Sequence, residues 1–311
     1  MTGSPARAEA PAWLASLRSG LQDLGVPFRE QEPLARHTSM GVGGPALLMA
    51  FPRTPEELRR TLALRAELRV PHRVLGGGSN LVVCDEGLDE LVVNTEQLAR
   101  VTLADDGRLS AEGGASLIRT VVRCCRAGWQ GLQSAVGIPG SVGGAAVMNA
   151  GAYGFSISEV MAGIVVYDEA GAPMEPPEGW RFRYRGSSIP EGAAVAELRL
   201  QLRPGDPAAL GREIRELQLQ RVRSQPAGRN AGCVFKNPPG AAAGRLIDQL
   251  GLKGTRRGGA VVSERHANFL VNDQGARAQD VLDLLDLVRE RVRREAGVEL
   301  ELEVKVWRPR P

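Results

Sequence analysis

Apolar residues recur with a helical spacing in several stretches of the chain. One apolar stripe, which includes Leu17 and Leu21, predicts a helix over residues 11–24. Thr54 and Pro55 supply a capping hydroxyl and a first-position proline, so a second helix begins there and reaches about residue 68. The same reasoning predicts further helices over residues 116–128, 206–223, 243–250 and 280–295.

Shorter runs of apolar and β-branched residues separate these helices and predict strands. The predicted strands are residues 46–51, 70–75, several short runs within 81–109, 160–167, 195–202, 233–235, runs around 261 and 270, and 299–307. In the last of them, alternation places Glu301 and Glu303 on one face. The mixture predicts an α+β protein, and a break near residues 202–205 separates a C-terminal lobe from two preceding ones.

Glycine is concentrated in two clusters between the predicted elements. The first, Gly76-Gly77-Gly78-Ser79-Asn80, follows a predicted strand, and the second runs from Gly137 to Gly154. Each glycine costs backbone entropy on folding, so such clusters are typical of places where backbone amides approach an anion without an intervening Cβ. A short helix predicted after Gly144 adds a phosphate-favouring N-terminus. The two clusters together predict one diphosphate cofactor held from two sides, with close packing as the alternative for either cluster alone.

Composition and charge exclude several classes of function. The chain has 311 residues, of which 43% are hydrophobic and 24% charged, as in globular proteins. The net charge of +3, without basic runs interleaved with aromatic residues, predicts no nucleic-acid partner. No apolar run approaches the length of a membrane span, and residues 1–11 lack the apolar core of a signal peptide. The four cysteines show no metal-ligand spacing, so we expect no metal site and a reducing cytoplasm.

Three polar segments complete the pattern: residues 184–188, 228–238 and 263–269. Together with the glycine clusters, and in this order, they resemble the UDP-N-acetylenolpyruvoylglucosamine reductases, flavoproteins of early peptidoglycan synthesis. The resemblance extends from about residue 34 to residue 306. It implies the fold of the vanillyl-alcohol-oxidase-like flavoproteins, in which two PCMH-type subdomains hold FAD and a C-terminal α+β domain binds substrate. The corresponding segments here are residues 1–95, 96–204 and 205–311.

The resemblance also implies roles for individual residues. Arg185 falls at the catalytic arginine of a Tyr-Arg-x-Ser element, and Cys233 falls at the proton donor, which is commonly serine. Glu303 matches the glutamate of the final strand, with Glu301 as the competing position. The implied cofactor-binding residues are Gly76, Gly77, Gly78, Ser79, Asn80, Gly140, Ser141, Gly143, Gly144, Asn149 and Gly151. The implied substrate-binding residues are Tyr184, Lys236, Asn237, His266 and Asn268.

The chemistry that the resemblance implies is the NADPH-dependent reduction of UDP-N-acetylenolpyruvoylglucosamine to UDP-N-acetylmuramate through non-covalently bound FAD. The chain is similar to the second type of the family, which lacks a substrate-covering tyrosine loop. Two departures are the opening His37-Thr38-Ser39-Met40 and the cysteine at position 233. Burial of Cys233 would favour the thiol, whereas Lys236 and Arg185 would favour the thiolate, and the sequence leaves that balance open.

Two other functions stay open at this point. One is a flavin-dependent alcohol or hydroxy-acid oxidase of the same fold, which often tethers its flavin through histidine. Its three candidates, His37, His72 and His266, all lie outside the first glycine cluster. The other is a non-catalytic flavin-binding or nucleotide-binding protein, which would not need Arg185, Cys233 and Glu303 together. We expect a cytoplasmic monomer that acts on small molecules.

Overall fold

The computed structural model describes residues 11–310, so nearly all of the segment examined for a signal peptide lies outside the described residues. The helices are α1 (Trp13–Asp23), α2 (Pro55–Glu67), α3 (Leu117–Arg126), α4 (Val142–Val147), α5 (Pro207–Ser224), α6 (Ala243–Gln249) and α7 (Ala278–Ala296). The strands are β1 (Phe28–Pro33), β2 (Pro45–Ala50), β3 (His72–Leu75), β4 (Leu81–Val83), β5 (Leu88–Asn94), β6 (Val101–Leu103), β7 (Arg108–Glu112), β8 (Trp129–Gln130), β9 (Gly151–Ala152), β10 (Phe155–Ser156), β11 (Met161–Tyr167), β12 (Phe182–Arg183), β13 (Gly186–Ser187), β14 (Ala194–Gln201), β15 (Arg203–Pro204), β16 (Arg229–Cys233), β17 (Arg256–Arg257), β18 (Ala260–Val262), β19 (Phe269–Asn272) and β20 (Lys305–Trp307).

The first sheet has the strand order β1-β2-β5-β3, with β2, β5 and β3 parallel and β1 antiparallel. Helix α2 connects β2 to β3, and β5 lies between these two strands in the sheet. The start of α2 is fixed by Thr54, whose Oγ1 accepts a hydrogen bond from the Glu57 N–H at 3.1 Å. Leu17 of α1 and Leu62 of α2 are fully buried in the core beneath this sheet. The sheet presents the first glycine cluster directly after β3.

The second sheet has the order β11-β14-β7-β6 and is antiparallel throughout. Ser116 caps α3, and the adjacent Cys124 and Cys125 of that helix are fully buried in the core of this lobe. Leu210 and Ile214 of α5 join the same core. Helix α5 therefore packs against α3 in the second lobe and leads the chain towards the third sheet. The exact position of the domain boundary stays a prediction.

The third sheet has the order β16-β19-β18-β17, with α7 packed across it. This lobe contacts the first at several places. Strand β20 runs parallel to β4 and pairs with it. The Asp85 carboxylate accepts hydrogen bonds from the N–H groups of Ala278 and Gln279, at 2.9 and 3.0 Å, and so caps the first turn of α7. These connections place the C-terminal segment next to the first glycine cluster.

The helix predictions are confirmed to within a few residues, but two strand predictions are wrong. The strand predicted at 233–235 lies earlier, at β16, and the strand predicted over 299–307 is reduced to β20. Residues 301–304 lie before β20, and among them Leu302 forms an isolated antiparallel bridge with Phe235. The two glutamates differ in their surroundings. Glu301 is exposed and pairs with Lys236, whereas Glu303 is mostly buried beside Arg185.

No helix within residues 11–310 is long and apolar enough to cross a membrane. Over the same range, no group of three or more His, Cys, Asp or Glu side chains is arranged to hold a metal ion.

Candidate active site

The two glycine clusters lie against each other. Ser79 Oγ donates a hydrogen bond to the Pro139 carbonyl at 3.1 Å, and the Gly77 N–H donates to Ser141 Oγ at 3.3 Å. A Cβ on Gly77 would lie only 2.7 Å from the Cα of Gly140, so glycine is needed for this close approach. The fold thus brings both clusters together, as is required if they bind a single cofactor from two sides.

The first cluster has the donor groups that a diphosphate needs. The backbone N–H groups of Gly78, Ser79 and Asn80 donate to no backbone acceptor within residues 11–310. Gly78 has a φ of +59°, and its missing Cβ leaves room for the carbonyl oxygen of His37. Consecutive unpaired N–H groups in a glycine-containing turn form an anion-binding concavity. These residues therefore fit the diphosphate of FAD.

Gly143 and Gly144 lack side chains for different reasons. A Cβ on Gly143 would lie 2.9 Å from the carbonyl oxygen of Gly113, so the protein itself fills that space. Contact of Gly143 with the cofactor stays a prediction. Gly144 is exposed, and a Cβ there would meet only Ser141 Oγ, at 3.4 Å. Of these two glycines, Gly144 is the one whose open space a ligand can use.

Arg185 lies in a short connection that hydrogen-bonds to the segment after α4. Its Nη1 donates to the Gly151 carbonyl at 2.9 Å, and Asn149 Nδ2 donates to the Arg183 carbonyl at 3.2 Å. Arg185 has a φ of +55°, a left-handed conformation that costs a non-glycine residue roughly 1–2 kcal/mol. Strain of this kind persists where the surroundings fix the backbone. Asn149 and Gly151, predicted as cofactor residues, thus also hold the arginine in place.

Glu303 lies beside Arg185. The distance from Arg185 Nε to Glu303 Oε1 is 2.9 Å, and both side chains are mostly buried. The Nε–H is not directed at the carboxylate and has no hydrogen-bond partner within the described chain, so the contact is an ion pair rather than an aligned hydrogen bond. Burial raises the pKa of the Glu303 carboxyl, while Arg185 and then Lys236 oppose the rise. Such contacts commonly become aligned only when substrate binds.

Cys233 ends strand β16 and is only partly exposed. Burial raises the pKa of its thiol to about 11, and the neighbouring Glu303 carboxylate adds to the rise. Arg185 and Arg221 lower the pKa without offsetting these effects. Whether burial or the nearby cations determine the pKa of Cys233 was open from the sequence. In the structure the effect of burial is larger, so the thiol keeps its proton at neutral pH.

Arg221 is a candidate site residue that the sequence analysis missed. It lies near the C-terminus of α5 and its side chain passes over Gly137, where a Cβ would collide with it. Its charge acts on Cys233 and Arg185, and burial lowers the pKa of its guanidinium. Within residues 11–310 it forms no ion pair with a carboxylate in the structure, unlike Arg185. The sequence offered only one signal, an arginine in the last turn before the polar loop at 228–238.

The predicted substrate residues divide between two environments. Tyr184 is exposed, and its ring lies 5.0 Å from the Cζ of Arg185. Lys236 pairs with the exposed Glu301, on the side of the third lobe that faces Glu303. Tyr184 and Lys236 thus flank the Arg185–Glu303 pair, and their contact with substrate stays a prediction.

The remaining three predicted substrate residues hydrogen-bond within the protein. Asn268 is buried and binds both main-chain groups of Phe235, through Oδ1 at 3.0 Å and Nδ2 at 2.8 Å. Asn237 Oδ1 accepts from the Ala243 N–H at the start of α6, at 3.0 Å. His266 Nδ1 accepts from the Asn268 N–H at 3.2 Å, and burial lowers the pKa of this imidazole. These bonds support the segment that follows Cys233.

Two family models match the chain. One is described as the UDP-N-acetylenolpyruvoylglucosamine reductase C-terminal domain and matches residues 223–307. The other is described as an FAD binding domain and matches residues 46–172. The first model covers Cys233 and Glu303, and the second covers both glycine clusters.

Relatives and one solved structure are similar over almost the whole chain. UDP-N-acetylenolpyruvoylglucosamine reductase 2 of Symbiobacterium thermophilum is 46% identical over 95% of this chain and 96% of its own length. The reductase of Moorella thermoacetica is 44% identical over 95% of this chain and 97% of its own. The crystal structure of UDP-N-acetylenolpyruvylglucosamine reductase from Thermus caldophilus is 40% identical, with a TM-score of 0.77, and covers 91% of this chain and 99% of its own.

Proposed function

The chain belongs to the UDP-N-acetylenolpyruvoylglucosamine reductase family, and from that premise we propose that it reduces the enolpyruvyl ether of UDP-N-acetylenolpyruvoylglucosamine to the lactyl ether of UDP-N-acetylmuramate. NADPH is the reductant, and FAD, bound without a covalent link, supplies the hydride chemistry. The reaction is a step of peptidoglycan precursor synthesis. We further propose that the protein works in the cytoplasm as a monomer.

The observation that carries the proposal is the meeting of three groups from distant parts of the chain. Arg185, Glu303 and Cys233 lie close enough for their charges to act on one another. The same groups adjoin both glycine clusters, because Arg185 bonds to Gly151 and the carbonyl of Glu303 bonds to Asn80. A flavin-binding protein without catalytic function would not need this arrangement.

Arg185 is assigned to stabilise charge. When hydride adds to the terminal carbon of the enolpyruvyl group, negative charge develops towards its carboxylate. A guanidinium is always protonated and presents its donors in a fixed fork, so it matches that charge without reorganisation. Glu303 is assigned to orient Arg185 and polarise the site, since its carboxylate is desolvated beside the guanidinium.

Cys233 is assigned to deliver the proton that completes the reduction. A donor must be protonated before the reaction and must lie within reach of the carbon that becomes basic. The raised pKa of about 11 keeps the thiol protonated across the physiological range. The proton passes from Sγ to the enolate-like carbon, and the thiolate left behind has Arg185 and Arg221 nearby to stabilise it.

Arg221 is assigned to an anionic group of the substrate. It is a largely buried cation whose charge faces Cys233 and Arg185 rather than a carboxylate. A buried cation next to another cation is unfavourable unless an anion joins them. The diphosphate and the enolpyruvyl carboxylate are the two anions that the proposed substrate brings to this place.

A half-reaction experiment tests the proposal. Purified protein should be yellow, NADPH should bleach the flavin without oxygen, and UDP-N-acetylenolpyruvoylglucosamine should restore the colour. UDP-N-acetylglucosamine, which lacks the enolpyruvyl group, is the matched control and should leave the flavin reduced. A protein that binds no flavin, or whose reduced flavin does not respond to the enolpyruvyl compound, would contradict the proposal.

A further inference from the structure

The residue that ends the first glycine cluster also binds the main chain of the catalytic carboxylate. Asn80 Nδ2 donates to the carbonyl oxygen of Glu303 at 3.0 Å. The carbonyl of Asn80 accepts from the Lys305 N–H, also at 3.0 Å. Asn80 therefore binds the backbone on both sides of position 304. These two bonds are the link between the cofactor cluster and the segment that carries Glu303.

The opposite side of Glu303 is held by the segment that carries Cys233. The Glu303 N–H donates to the Val234 carbonyl at 2.8 Å. Glu303 itself precedes β20 and belongs to no regular strand. Its main chain is therefore positioned by individual hydrogen bonds, with Val234 fixing the N–H and Asn80 fixing the carbonyl. Loss of either bond releases one side of the residue.

We propose that Asn80 is a positioning residue for Glu303. The hydrogen bond from its side chain holds the Glu303 carboxylate in place relative to the cofactor cluster and to Arg185. The inference rests on the proposed function, because it assigns the Asn80 side chain to the enolpyruvyl half-reaction rather than to FAD. The backbone N–H of Asn80 remains available to the cofactor. A displacement of about 1 Å in a reacting group can cost roughly 100-fold in rate.

Asn80→Ala removes the side-chain bond and keeps both backbone groups. We expect flavin content and the rate of flavin reduction by NADPH to stay within about twofold of the native values. We expect reoxidation by the enolpyruvyl substrate to slow by about 10- to 100-fold, because Glu303 shifts relative to Arg185. Stopped-flow absorbance of the flavin measures both half-reactions on the same preparation.

Asn272→Ala is the matched control. Asn272 is buried, and its Nδ2 donates to the Met40 carbonyl at 3.0 Å, so it also joins the third lobe to a segment of the first. Its partners do not include Glu303. We expect this variant to lose thermal stability and to leave the ratio of the two half-reaction rates unchanged.

A double-mutant cycle tests whether Asn80 acts through Glu303. In a Glu303→Gln background, Asn80→Ala should slow reoxidation by less than about twofold, since coupled residues are not additive. Full additivity would overturn the inference, as would loss of flavin from Asn80→Ala or an equal slowing of both half-reactions. Failure of the proposed function would be distinct, because the native protein itself would then not be reoxidised by the substrate.

Discussion

Alkylation of Cys233 tests the protonation state on which its proposed role as proton donor depends. Iodoacetamide reacts with the thiolate, so its rate reports the thiolate fraction. A thiol with the ordinary pKa of 9.0 is about 10% ionised at pH 8, whereas a pKa of about 11 leaves about 0.1%. We therefore expect Cys233 to react about 100-fold more slowly than an ordinary thiol, and about tenfold faster for each unit of pH up to 10.

The assay follows loss of activity and the mass of the Cys233 peptide over time, with and without the enolpyruvyl substrate. Cys233→Ser provides the background, because the remaining cysteines are buried and burial raises the pKa of each thiol: Cys84 to about 11, Cys124 to about 12 and Cys125 to about 11. The same variant should keep much of the reoxidation rate, since a serine hydroxyl also holds its proton. Cys233→Ala should slow reoxidation by orders of magnitude while flavin reduction by NADPH continues.

Two results would refute this reasoning. Alkylation at pH 8 as fast as that of a free cysteine would show that Arg185 and Arg221 cancel the effect of burial and that the pKa of Cys233 is not raised. Reoxidation of Cys233→Ala at the native rate would show that the thiol is not the proton donor and only fills space.

Three further predictions concern the cofactor, the arginine and the kinetic order. Gly144→Ala should lose flavin without loss of stability. Gly143→Ala, whose Cβ meets the Gly113 carbonyl, should instead lower the free energy of unfolding by about 1–3 kcal/mol. Measurements of flavin content and of thermal melting distinguish the two effects. Equal flavin content in both variants would contradict the inference that a ligand uses the open space at Gly144. Arg185→Lys should lose about 100-fold or more in turnover, because an ammonium lacks the planar fork, and near-normal turnover would remove Arg185 from the mechanism. Steady-state rates with both substrates varied should give parallel lines, and intersecting lines would exclude a shared site on the flavin.

The sequence predicted the features that local chemistry determines. The caps at Thr54, Ser116 and Asp206 are confirmed because a side chain and the backbone three residues later are enough to start a helix. The insertion of β5 between β2 and β3 was not predictable, because strand pairing depends on segments distant in the chain.

The candidate site, too, was predictable from the sequence only in part. The residues that match family motifs meet in space, but the state of Cys233 depended on distances to Glu303, Arg185 and Arg221 that no spacing reveals. Arg221 was missed because Gly137 and Arg185, which lie near it, are distant from it in the sequence. The length of the last strand was overestimated because alternation of residue types does not distinguish a sheet ladder from isolated hydrogen bonds.

The pairing of β20 with β4 has a consequence for how the molecule assembles. Asn80 and Glu303 are 223 residues apart in the chain, and contacts of such separation form late because a long loop must close first. The two glycine clusters join segments much closer in sequence, so the FAD cradle can form before the carboxylate arrives. During refolding, flavin binding should therefore precede recovery of turnover, and a species that holds FAD without activity should accumulate between them.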